Sequence, residues 1–163
     1  MEYIIDGYNL IKSSFLKKYE SGTENNAVLA LLHLISGYRR KHPSVLFTVV
    51  FDGFIDIRFP DKNIRILFSH ERTADELIRY ELERNTRNNR IKTVVSDDRE
   101  VQICGKILGS RTLSNLEFLQ IVCPSPSKTI EGKNKGKSTT DINTLQIENE
   151  LKNFYEKGAG NND

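Results

Sequence analysis

Aspartates recur at the ends of apolar runs in this chain. Asp6 closes Tyr3, Ile4 and Ile5; Asp52 closes SVLFTVVF (44–51); Asp97 and Asp98 follow IKTVV (91–95) and Ser96. Asp75 stands early in TADELIRYELERNTR (73–87). A carboxylate at the end of a buried strand is costly unless it is paired. Carboxylates crowded into one cleft raise each other's pKa until a cation relieves them. The simplest relief is a hard divalent ion with oxygen ligands, Mg²⁺ or Mn²⁺. Such an ion can activate water and stabilise an in-line displacement at phosphorus. The plain alternative is that each acid caps or complements a helix N-terminus, or, for Asp52, starts a turn before Gly53. Asp6 is the hardest to explain that way, because the residues before it are wholly apolar.

The acids meet only if the elements bring them together. Residues 2–6 read as a short buried strand, and Tyr8 to about Lys18 as a helix with Leu10, Ile11 and Phe15 on one face. Ser21–Asn26 is polar and breaks the pattern. A longer helix follows, with Val28, Leu31, Leu32 and Ile35 in step, ending in RRKH before Pro43. SVLFTVVF reads as an interior parallel strand buried on both faces. After a polar loop, NIRILFS (63–69) is a third strand. The 73–87 helix has Thr73 and Glu76 at capping-box spacing, with Leu77, Ile78, Tyr80 and Leu82 as apolar surface. IKTVV is a fourth strand, followed by a helix to about Leu108. SNLEFLQIV (114–122) is another helix, capped by Ser114 and Glu117.

Strands alternating with helices predict right-handed βαβ units in a three-layer α/β/α fold with a mostly parallel sheet. The functional crevice of such a sheet lies beyond the carboxyl ends of its strands, where all these acids fall. The expected organisation is one domain over 1–123, a lysine-rich flexible loop over 124–141, a helix over 142–158 packing on the same domain, and a short tail over 159–163.

Composition narrows the function class. The chain has 163 residues, 37% hydrophobic and 28% charged, which suits one soluble globular domain. Its net charge of +2 neither demands nor forbids a nucleic-acid partner. No apolar run is long enough to span a bilayer, and no signal-peptide pattern opens the chain, so a cytoplasmic protein without a membrane partner is expected. Cys104 and Cys123 fit no metal spacing, and with three scattered histidines they build no zinc site. Reduced core cysteines are the expectation.

DGYN (6–9), VVFDG (49–53), TADE (73–76), VVSDDREVQ (94–102) and LGSRTLSNLEFL (108–119) come in an order and spacing that resembles the YacP-like branch of the NYN domains, within the PIN-like nuclease group. The resemblance covers roughly residues 2–122. It implies a PIN-like (Rossmann-like) fold and a metal-dependent endoribonuclease using Mg²⁺ or Mn²⁺, with 5′-phosphate and 3′-hydroxyl products. By motif position, Asp6, Asp75 and Asp97 carry over as catalytic and metal-binding acids, and Asp52 as an acidic wall. Asn9 would orient a ligand or the Asp6 carboxylate, and Ser96 would contact a phosphate or cap a helix. Asp98 departs from the pattern, because a basic residue usually follows Ser-Asp directly and here Arg99 comes one later. Asp97 is the preferred ligand of the two.

RNA requires positive charge. Arg39, Arg40 and Lys41, and Arg84, Arg87, Arg90 and Lys92, lie at the edge opposite the acids, where a solvated face is the simpler reading. Lys12, Arg72, Arg79 and the loop lysines Lys133, Lys135 and Lys137 are better placed, the last three as an arm for RNA or the ribosome, or as a solvated loop. Tyr8 could stack on a base or belong to the core. GKNKGKST (132–139) is not a P-loop, because Gly132 and Gly136 enclose one residue too few. The leading expectation is hydrolysis of RNA, with ribosome-associated message among the substrates. The rival is a non-catalytic RNA- or ribosome-binding module on the same fold. A nucleotide-binding domain lacks its glycine fingerprint after the first strand.

Overall fold

The computed structural model describes residues 1–14, 16–17, 24–84 and 90–124. In chain order they form β1 (Glu2–Asp6), α1 (Gly7–Lys12), α2 (Glu24–Lys41), β2 (Leu46–Phe51), β3 (Ile64–Phe68), α3 (Ala74–Arg84), β4 (Lys92–Val95), α4 (Arg99–Ile107), β5 (Arg111–Leu113) and α5 (Asn115–Val122). The strands make one sheet in the order β3-β2-β1-β4-β5, with every neighbouring pair parallel. The expected α/β architecture is therefore present, with β1 at its centre.

Period-two alternation divides the core. Tyr3 and Ile5 of β1, with Phe47, Val49 and Phe51 of β2, face a layer made by α1, α2 and α5, while Ile4, Val50 and Val94 face Ala74, Ile78 and Leu82 of α3 and Val101 of α4. Phe118 anchors α5 by packing its ring edgewise on Tyr3 at 5.4 Å. Burying each such side chain is worth about 1.5–3 kcal/mol. That is why the interior strands read as unbroken apolar runs.

Some expectations change. The first helix stops at Lys12 rather than about Lys18, because the Ser13 hydroxyl donates to the Asn9 and Leu10 carbonyls and the Ser14 hydroxyl to that of Ile11. Such bonds compete with helix propagation. The polar stretch before α2 does not exclude helix, since α2 begins at Glu24. The loop between β2 and β3 is not simply polar: Ile55, Ile57 and Phe59 pack against the core. Tyr80 lies on the solvent side of α3, and Glu81 is buried in the position that the apolar pattern suggested for it. Cys104 and Cys123 are not joined in a disulfide and are only half-buried. No described helix is long and apolar enough to cross a membrane. Phe15, Arg87, Lys133, Lys135, Lys137, nearly all of the 124–141 loop, the 142–158 helix and the 159–163 tail lie outside the described residues.

Candidate active site

The parallel sheet delivers its strand-end acids to one edge, where they meet helix N-termini. Asp6 is the N-cap of α1, and its Oδ1 accepts from the Asn9 backbone N–H at 3.1 Å. Asp52 Oδ1 accepts from the backbone N–H of Ala74, the first residue of α3, at 2.7 Å. Asp98 caps α4 by accepting from Glu100 N–H at 2.7 Å and Val101 N–H at 3.3 Å. Asp97 Oδ1 accepts from the backbone N–H of Asn115, the first residue of α5, at 2.9 Å. The capping alternative is thus realised at each of these acids. Each contact uses one carboxylate oxygen, and the second oxygens of Asp52, Asp97 and Asp98 take no hydrogen bond among the described residues.

Capping does not account for the electrostatics. Burial pushes the Asp6 carboxyl up to about 6; Asn9 and Ser96 pull it down, while Asp75 and Asp52 push it further up. Asp75 is raised as well, first by desolvation and then by Asp98, Asp52 and Glu100. Thr73 and Glu76 form the capping box of α3, so Asp75 is not needed as its cap. The like charges face one another across the crevice.

Carboxylate oxygens suit Mg²⁺ or Mn²⁺. Among the described residues no three His, Cys, Asp or Glu side chains are grouped closely enough to hold a metal ion by themselves. Mg²⁺ does not require such a cage, since it keeps several waters and is commonly held by one or two carboxylates together with substrate phosphate. The donor set fits an ion bound in that open manner.

The remaining expected residues are placed as follows. The Asn9 side chain orients Asp97 rather than Asp6: its Oδ1 accepts from the Asp97 backbone N–H at 2.9 Å. Ser96 is fully buried; its hydroxyl donates to Asp6 at 3.4 Å and accepts from the Asp98 N–H at 3.0 Å. At Gly7, between Asp6 and Tyr8, an added Cβ would overlap the Phe51 ring, so the position has room for hydrogen only. Tyr8 is half-buried with its ring edge-on to Phe51 at 5.2 Å, and the Lys12 ammonium lies 5.7 Å from the Tyr8 ring centroid. Arg72 is exposed in the turn between β3 and α3. Arg79 lines a groove with Asp75 and Glu100 and sits 3.9 Å from Glu83. At the opposite edge Arg39 is tied to Asp61 at 2.8 Å and Lys92 is buried.

Asn115 and Ser69 were missed. Asn115 is buried, and its Nδ2 donates to Asn9 Oδ1 at 2.7 Å and to the Ser13 hydroxyl at 2.6 Å, joining α5 to α1 beside Asp97. Its partners are distant in sequence, so no local pattern marks it. Ser69 is a polar residue ending an apolar strand, the same signal that marked Asp6. It donates to Asp52 at 3.3 Å and accepts from the Gly53 N–H at 3.0 Å.

The model of the YacP-like NYN domain matches residues 3–157, beyond the stretch whose motifs carried the resemblance. A crystal structure of Rae1 (YacP) from Bacillus subtilis is similar with a TM-score of 0.64 at 21% identity, covering 98% of this chain and 85% of that one. A point mutant of the same protein gives 0.64 at 19% identity, covering 100% and 86%. At those identities the structures speak for the fold. No curated protein matches the chain.

Proposed function

This chain belongs to the YacP-like NYN domain family, a branch of the PIN-like nucleases, and from that premise we propose that it is a metal-dependent endoribonuclease. The observation that carries the reading is the burial of Asp6 at the strand ends within reach of the Asp75 and Asp52 charges, which add to the rise in its pKa. Asp6, Asp75 and Asp97 would hold Mg²⁺ or Mn²⁺, and the ion supplies charge neutralisation and an acidified water for phosphodiester hydrolysis. The protein's own groups prepare the site. Asn9 and Asn115 fix Asp97 from two helices. Ser96 links Asp6 to the start of α4. Asp52 forms a charged wall tied to the α3 N-terminus. RNA would approach along this edge with Lys12, Arg72 and Arg79 as nearby cations, joined by the loop lysines Lys133, Lys135 and Lys137. Tyr8 supports Phe51 and leaves only part of its ring for a base.

A second reading is favoured by one observation, that Asp6, Asp52, Asp97 and Asp98 all serve helix N-termini. Acids kept for that purpose would leave an RNA- or ribosome-binding module without hydrolysis. Incubating the protein with single-stranded RNA, structured RNA and translating ribosomes, each with Mn²⁺, Mg²⁺ or chelator, separates the two. Cutting that requires the ion and disappears in Asp6→Asn is the expected result. Cutting that survives Asp6→Asn refutes the site. Binding without cutting in every arm, the ribosome arm included, establishes the module.

A further inference from the structure

An aromatic ladder runs along the carboxyl ends of the strands. Tyr8 meets Phe51 edge-on at 5.2 Å, Phe51 stacks on Phe68 at 5.9 Å, Phe68 meets Phe54 edge-on at 5.6 Å, and Phe54 stacks on His70 at 5.3 Å with the rings 23° from parallel. The inner end is core, with Phe51 fully buried. The outer end is open: Phe54 is 65% exposed despite its two aromatic neighbours, Phe68 and His70. Single exposed apolar side chains are ordinary on protein surfaces. This one is held in place by its backbone.

His70 has φ of 53°, a left-handed conformation that costs a side-chain-bearing residue about 1–2 kcal/mol. Its N–H donates to the Gly53 carbonyl at 3.1 Å, and Gly53 itself turns at φ of 72°. The Gly53 N–H donates to the Ser69 hydroxyl, which donates in turn to Asp52. The Phe54–His70 pair is therefore tied to the Asp52 wall of the acid edge by hydrogen bonds just beyond the ends of β2 and β3, and Arg72 follows two residues after His70.

We propose that Phe54, backed by His70, is a stacking platform for one unpaired RNA base next to the scissile phosphate. The inference rests on the endoribonuclease reading and adds to it a single-stranded substrate at this subsite. An aromatic face fits any unstacked base, and such stacking is worth about 1–3 kcal/mol per base. Two rings are too small a patch for a stable protein interface, which buries on the order of 1,200 Å² or more. They match the area of a base. Asp52 beside them would repel a phosphate in the absence of the ion, so the platform holds the base while the ion and Arg72 take the backbone.

The test uses single-stranded RNA carrying 2-aminopurine, with binding read by anisotropy in chelator and cutting read separately with Mn²⁺. Phe54→Ala is expected to weaken binding roughly 5- to 150-fold and to abolish quenching of the 2-aminopurine. Phe54→Leu, which keeps an apolar side chain, should lose the quenching too, and Phe54→Trp should keep it. RNA with an abasic position in register should bind wild type and Phe54→Ala equally. Binding by Phe54→Ala within twofold of wild type, or equal quenching by Phe54→Leu, overturns the platform and leaves the nuclease reading standing. Wild type that does not bind this RNA overturns the platform, and absence of cutting in the ribosome arm as well overturns the nuclease reading. Thermal melting guards against misfolding, and an exposed ring is expected to leave the midpoint nearly unmoved.

Discussion

The two edges of the sheet handle charge in opposite ways. At the amino ends of the strands, buried charges meet opposite charges or dipoles. Glu81 receives a two-pronged contact from Arg65 at 2.7 and 2.8 Å, and the Lys92 ammonium donates to the Glu81 and Leu82 carbonyls at 2.8 and 3.1 Å, closing the last turn of α3. Burial lowers the Lys92 pKa, while Glu2 and Glu81 oppose that shift. At the carboxyl ends, burial and then the charges of Asp75 and Asp52 push the Asp6 pKa up, and burial and then Asp98, Asp52 and Glu100 push up that of Asp75. One sheet thus neutralises its charge at one edge and concentrates it at the other. Clustered carboxylates with shifted pKa values are what a functional site requires and a purely structural edge avoids.

The sharpest way to separate the edges is to remove a charge from each. Asp6→Asn keeps an oxygen to cap α1, so the fold should persist. RNA cutting should fall on the order of 10²–10³-fold or more, the scale of losing one preorganised electrostatic contact to the reaction. A melting midpoint at neutral pH that holds or rises, together with that loss, is the signature of a site residue. A midpoint that drops together with activity would make Asp6 a structural cap. At the other edge the expectation reverses. Glu81→Ala strands Arg65 and removes a charge that favours the Lys92 ammonium, which keeps its bonds to the backbone carbonyls of residues 81 and 82. It should cost at most about 3 kcal/mol, because Arg65 is partly exposed. That corresponds to a fall of very roughly 6–12 °C for a chain of this size. Cutting per folded molecule should be unchanged. Equal loss of activity from both variants would erase the distinction between the edges.

The sequence made the carboxyl edge legible and left the amino edge obscure, for a physical reason. Asp6, Asp52, Asp97 and Asp98 each terminate a continuous apolar run, and a run buried on both faces has one reading in a parallel sheet. The capping boxes at Thr73 and Ser114 are local patterns and are present as expected. Glu81 and Lys92 carry no comparable mark, because their burial depends on packing α3 against the face of the sheet. Read from the sequence alone, Lys92 therefore falls among the solvent-facing basic residues. Asn115 and the Phe54–His70 pair were invisible for the same cause, since their partners are far away in the chain. The early end of α1 was readable in principle from Ser13 and Ser14, but the apolar spacing toward Phe15 outweighed it.

Acid and metal probe the same contrast from outside. Asp6 holds its proton up to about pH 6 when folded, against an ordinary value of 3.8. Between those values the folded protein binds a proton that the unfolded chain releases. In chelator, the Asp6 contribution to stability is therefore greatest below about pH 4 and declines as pH rises through 6, by at most about 3 kcal/mol. Subtracting the Asp6→Asn profile from that of wild type isolates it from the other acids. Mn²⁺ or Mg²⁺ should restore wild-type stability at pH 7 by binding the folded state, and should have little effect at pH 4, where the carboxyl is protonated. A difference profile that rises from pH 4 to 6 would contradict the crowding of acids at this edge.

The smallest expected change in stability bears on the choice between Asp97 and Asp98. Asparagine is as good an N-cap as aspartate, so Asp98→Asn should keep its bonds to the Glu100 and Val101 N–H groups. Losing some attraction to the α4 dipole is offset by removing a charge that opposes Asp75. The net shift should stay within about 0.5 kcal/mol. Asp97→Asn likewise keeps an acceptor for the Asn115 N–H. With both folds intact, activity alone decides: a severe loss in Asp97→Asn beside a mild one in Asp98→Asn places the working oxygen on Asp97, held between Asn9 and α5. The opposite order moves the ion toward Asp75 and the α3–α4 side of the crevice, where the repulsion on Asp75 from Asp98 and Glu100 is already concentrated.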